Sequence, residues 1–96
     1  MPQSDGTDIL GDCFVDYFNS RQFVPYAGET GTTTTGVTSL AECESLVTAS
    51  EYGNVVAQYD SDAGICIVYQ QPFCYQEDLV EASANFVALL SNGCQK

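Results

Sequence analysis

The chain contains no histidine, and only Arg21 and Lys96 are basic against thirteen acids, a formal net charge of −11. Without histidine, neither a Ser-His nor a Cys-His nucleophile pair can be assembled, and mixed Cys/His zinc sets are excluded. The charge repels phosphate backbones and anionic lipid surfaces, which argues against nucleic-acid binding. No apolar run approaches the roughly 20 residues needed to span a bilayer, so no membrane insertion is expected. G-x-S-x-G, phosphate-cradling glycine motifs and N-x-[ST] sequons are all missing. Paired carboxylates remain formally available for acid–base work, but no cleft residues accompany them. Neither enzymatic activity nor a cofactor is expected.

What is present is cysteine. At 96 residues the chain lies near the size at which one core needs help to stabilise a fold, and it carries Cys13, Cys43, Cys66, Cys74 and Cys94. That density points to a disulfide-stapled module in an oxidising, extracellular setting. The spacings contain no C-x2-C or C-x4-C pair, which argues against a structural metal. The opening MPQSDGTDIL lacks the basic and apolar segments of a secretory signal, so secretion implies either a signal already removed or a start other than the native one. The acids are scattered from Asp5 to Glu81 with no run of five, the pattern of a solvated surface.

Residues 1–12 are polar and read as a flexible N-terminal arm unless something holds them, and 13–96 as a single domain. CFVDYFN (13–19) and RQFVPY (21–26) have strand composition, with Asn19-Ser20 as a turn and Pro25 suited to an edge. AGETGTTTTGVTS (27–39) has little to bury and reads as an exposed loop or a weak edge strand. Its threonines Thr32, Thr33, Thr34 and Thr35 are also accessible candidates for O-glycosylation.

Ser39-Leu40-Ala41-Glu42 fits a capping box, in which the serine caps the amide three residues on and the glutamate reaches back. Leu40, Cys43, Leu46, Val47 and Ser50 then recur on one helical face, leaving Glu42, Glu44, Ser45 and Glu51 to solvent. NVVAQY (54–59) and ICIVYQ (65–70) read as a hairpin closed by DSDAG (60–64). Asp60-x-Asp62 lacks the rest of a calcium loop, so turn chemistry is the expected role. A short helix is expected around 77–84 and a strand around 85–90, although NFVALL is an apolar run that periodicity alone does not assign.

The run from Ser39 to Tyr69 resembles the core of the PAN/apple domain. Ser39, Glu42 and Cys43 stand where that family has a capped helix carrying a cysteine. Tyr59 and Asp60 stand at its aromatic-plus-Asp turn, and Gly64, Cys66 and Val68 in its G-x-C-x-l strand. Two positions depart from the pattern, because Val47 and Val55 or Val56 occupy the places of a second helix-to-strand cystine. The resemblance implies an α+β fold, a small disulfide-stapled domain with one helix packed on an antiparallel sheet of about five strands. It also implies a Cys43–Cys66 bond and a Cys13–Cys94 bond joining the ends. Cys74 then has no counterpart and is a candidate free or intermolecular thiol; alternatively it pairs with Cys13 or Cys94, leaving the other terminal cysteine over.

Two functions follow as expectations. One is a non-catalytic extracellular binding module for protein or carbohydrate, with Tyr26 and Tyr75 as contact candidates. Tyr59 and Tyr69 belong to the hairpin and are expected in the core or in cross-strand pairs. The other is a subunit that self-associates into an oligomer or a fibre, disulfide-linked through Cys74, glycosylated on its threonines, with Ile9 and Leu10 packing on a neighbour.

Overall fold

The computed structural model describes residues 5–11, 13–24, 31–49, 55–69 and 79–92. Its elements are β1 (Gly6–Leu10), β2 (Cys13–Asn19), β3 (Arg21–Phe23), β4 (Thr32–Thr35), α1 (Leu40–Thr48), β5 (Val56–Asp60), β6 (Ile65–Tyr69), β7 (Leu79–Glu81) and β8 (Phe86–Asn92). Six strands form one antiparallel sheet in the order β1-β2-β8-β5-β6-β4, and β3 and β7 form a separate two-stranded ribbon. The α+β class agrees with expectation, and among the described residues α1 is the one helix. The sheet has six strands and not five because β1 and β4 extend it at its two ends, while β3 leaves it for the ribbon.

Strand alternation gives this sheet two apolar faces. On one, Val15, Ala57, Tyr59, Cys66 and Leu89 cluster with Cys43 and Val47 of α1. On the other, Phe18, Val56, Tyr69 and Ala88 cluster with Phe23 of the ribbon, against Leu79. The molecule is thus helix, sheet and ribbon in three layers, with a core on either side of the sheet. Tyr59 and Tyr69 lie in these two cores, on opposite faces. Val47 and Val55 share the helix-side cluster, and Val56 lies on the far side.

Local chemistry explains the element boundaries. Ser39 is the extended N-cap of α1, and its hydroxyl accepts from the Glu42 N–H at 3.3 Å. The Glu42 carboxylate accepts from the Thr38 hydroxyl, a different partner from the one a full capping box supplies. Ser39→Ala is expected to cost about 1 kcal/mol, read as a shift in urea midpoint with an unchanged slope. Asp60 closes the β5–β6 turn as expected: its Oδ1 accepts from the N–H groups of Asp62 and Ala63 at 3.0 and 3.3 Å. Gly64 completes the turn at φ 66°, a conformation that suits glycine.

Three expectations need correction. Gly6–Leu10 is a strand of the sheet, held along its whole length by β2 from Gly6↔Tyr17 to Leu10↔Cys13. Over those residues the arm is part of the domain. The helix expected around 77–84 is instead β7 at Leu79–Glu81, because Leu79 pairs with Phe23 and packs in the ribbon-side core. Glu44, assigned to solvent, is only 4% exposed, since the extended sheet reaches its side of α1. Asn19-Ser20 does end β2, with Ser20 at φ 55°, but β3 then pairs with β7 and not with β2.

Candidate functional site

Strand β4 ends the six-stranded sheet, and its inner edge pairs with β6 from Thr32↔Val68 to Thr35↔Ile65. Threonine is β-branched and suits a strand, and four in succession place hydroxyls on both faces. Thr32, Thr33 and Thr35 are exposed and Thr34 is half-buried. The tract is therefore the edge-strand alternative of the two readings, with its outer edge unpaired among the described strands. Beside it, between β4 and α1, runs a shallow open groove of about 310 Å³ lined by Thr34, Thr35, Gly36, Val37, Glu42, Ser45 and Leu46. Val37 and Leu46 give it an apolar floor, and the hydroxyls and Glu42 a polar rim.

A second surface lies at the other end of the sheet. Ile9 and Phe14 are cross-strand partners on the face opposite α1, beyond the ribbon, and are 70% and 44% exposed. Leu10 turns the other way and is partly buried against the helix-side core, so of the pair only Ile9 is presented to a neighbour. Tyr26, Tyr75, Cys74 and Cys94 lie outside the described residues. Cys43 and Cys66 form the disulfide that the resemblance implies, with Cα atoms 5.5 Å apart and both residues fully buried. Cys13 is also a disulfide cysteine.

Two carboxyl environments stand out electrostatically. At Asp60 the Asn85 amide, donating at 2.8 Å, and the turn N–H groups hold the carboxyl below the usual carboxylate range. Its lone pairs serve the turn, which accounts for the Asp60-x-Asp62 pattern. At Glu44 burial acts first, then the hydrogen bond to Asp8 and the charge of Asp8, and together they push the carboxyl up to about 7. Nothing in the helix periodicity signals this pair, because Asp8 reaches Glu44 only once β1 has joined the sheet. Among the described residues no group of three or more Cys, Asp or Glu side chains converges as a metal site.

Compared with models of known protein families and with curated proteins, the chain matches none.

Proposed function

We propose that this protein is a non-catalytic, extracellular interaction module of the PAN/apple kind that holds a protein or carbohydrate partner along β4 and its groove. The observation that carries the reading is the outer edge of β4, unpaired among the described strands, lying beside the groove to α1. An unpaired strand edge offers N–H and C=O groups to an extended partner, and a flanking groove takes its alternate side chains. Threonine hydroxyls on the same strand suit the hydroxyls of a sugar. The net charge of −11 favours a cationic or neutral partner over an anionic one. A helix fastened to the sheet by Cys43–Cys66 keeps the groove walls at a set distance without a partner present.

The test is a backbone amide NMR titration with two probes, a lysine-containing extended peptide of alternating valines and a panel of neutral oligosaccharides. Shifts concentrated at residues 34–37, 42, 45 and 46 are expected with one class, which names the partner chemistry. If neither probe at millimolar concentration moves these residues, the groove is not the binding site and the reading fails.

A second reading, a self-assembling and covalently linked fibre subunit, is favoured by one specific observation. The sheet has two unlike ends, β1 with exposed Ile9 and β4 with its threonines. Joining β1 of one copy to β4 of the next is a head-to-tail contact that does not close on itself, and such contacts build filaments. Because each copy carries −11, this association should strengthen as salt screens the repulsion. Sedimentation at low and high salt distinguishes the readings, with a salt-independent monomer excluding the filament. Intact-mass analysis of native material reads both the link through Cys74 and hexose increments on Thr32–Thr35.

A further inference from the structure

Strand β1 is tied to the molecule from two directions. Its backbone pairs with β2, and its middle residue, Asp8, has its side chain on α1. Gly6, Asp8 and Leu10 lie opposite Tyr17, Val15 and Cys13 and so share the helix-side face. The Tyr17 ring lies over Gly6 so closely that a Cβ there would clash with it. Leu10 packs into the core. Between them Asp8 meets Glu44, which is 4% exposed and whose Oε2 is buried with no hydrogen-bond partner among the described residues. An ionised carboxylate only accepts hydrogen bonds, so two carboxyl groups bonded to each other must hold a proton between them.

We propose that β1 is a proton-locked strap: one proton shared by Asp8 and Glu44 fastens this edge strand to α1, and its loss releases the strand. The described groups that share this face do not offset the lost proton. They are the phenols of Tyr17 on β2 and Tyr59 on β5 and the disulfide cysteines Cys13, Cys43 and Cys66. The helix-side residues of β8 are Val87, Leu89 and Ser91, which carry no charge. Asp5 is engaged elsewhere, accepting from the Asn19 N–H at 2.5 Å. Arg21 lies in the ribbon on the other side of the sheet, and Glu51 and Lys96 lie outside the described residues.

The direction of the switch follows from linkage. The Glu44 carboxyl is pushed up to about 7 with β1 in place, by burial first and then by Asp8. Release of β1 takes Asp8 away, lets water reach the carboxyl and returns it to the ordinary 4.5. The closed strap therefore binds the proton more tightly, is fully favoured below pH 4.5, and loses that advantage as pH rises to 7. Opening of β1 becomes roughly tenfold easier per pH unit inside that window, about fiftyfold between pH 5 and 7.5, and levels off above it. Release bares the edge of β2 and frees an extended segment ending in Ile9 and Leu10. The inference does not depend on the proposed partner or on the filament.

Hydrogen exchange on the full, disulfide-intact chain tests it, with rates corrected for base catalysis. Protection of the 6–10 amides is expected to fall about fiftyfold from pH 5 to 7.5 while β5 and β8 change far less. Glu44→Gln, which donates to Asp8 without a titrating proton, is expected to flatten the β1 profile. Asp8→Asn, at an exposed strand position, should do the same through its own amide and decides the matter if Glu44→Gln fails to fold. A β1 profile that is flat in the wild type overturns the proposal. So does one that stays equally steep in whichever variants fold, or a loss shared equally by all strands.

Discussion

Replacing Cys43 and Cys66 together by alanine is expected to lower the unfolding free energy by about 3 kcal/mol from loop closure alone. The bond closes a loop with a sequence separation of 23, and both residues are fully buried in the cluster that also holds Val15, Val47, Tyr59 and Leu89. Removing both sulfurs avoids stranding a thiol, but it leaves space that the surrounding side chains fill only in part, which adds to the loss. The local effect is larger than the global one. Helix α1 has nine residues, too few to be stable in isolation, and it is held by its cap, its apolar face and this bond. Urea unfolding at pH 5, where the β1 strap is closed, isolates the disulfide. The midpoint should fall and the slope should rise, because an unbridged denatured chain exposes more surface. An unchanged midpoint would show that the helix-to-sheet contact is sufficient without its staple.

The parts of this fold that were legible in the sequence are those whose causes are local. Ser39 marks the start of α1 because a hydroxyl three residues before an amide can cap it wherever the chain goes next. The β5–β6 hairpin is announced by Asp60 and Gly64, whose side chain and φ make the turn on their own. The Cys43–Cys66 bond was implied by the resemblance of that same stretch, and no feature outside 39–69 was needed for it.

What was not legible depends on distant segments meeting. The segment GTDIL has a glycine and an aspartate and no period-two apolar pattern, yet it is a strand because β2 offers a free edge and Tyr17 covers Gly6. Once β1 is in place, the side of α1 carrying Glu44 is no longer solvent. The two misreadings, of the arm and of Glu44, therefore have one cause. Leu79, Ala82, Ser83, Phe86 and Leu90 fall on a helical face by spacing, but three of those residues lie in two strands that serve the ribbon-side core. A three-residue strand such as β7 is too short for periodicity to identify. The candidate binding edge was half legible, since the threonine tract was recognised as exposed, whereas the groove needs α1 placed beside it.

Gln58 shows most clearly why alternation fails in a sheet covered on both sides, and its removal is the second large effect expected. In NVVAQY the polar Gln58 between Ala57 and Tyr59 reads as the wet side of a strand, but Val56, Ala57, Gln58 and Tyr59 are all buried. The Gln58 Oε1 accepts from the Phe23 N–H at 2.8 Å, and its Nε2 donates to the carbonyls of Arg21 and Val87 at 3.1 and 3.2 Å. Among the described strands β3 pairs with β7 alone, so this amide is a polar joint fastening the ribbon to the main sheet. Gln58→Leu keeps much of the volume and abandons three backbone groups, one of them a buried N–H. At about 1 kcal/mol or more for each group left without its partner, the loss is expected to be about 3 to 4 kcal/mol. Amide exchange should accelerate first in β3 and β7, and dye binding should report the apolar surface of Phe18 and Tyr69. Gln58→Glu gives a sharper result. A carboxylate still accepts from Phe23 but faces two carbonyls, so its pKa is raised in the folded state; the variant should be weakest at neutral pH and recover as acid protonates it. If Gln58→Leu is as stable as the parent, apolar burial by Phe23 and Leu79 holds the ribbon, and the amide is dispensable.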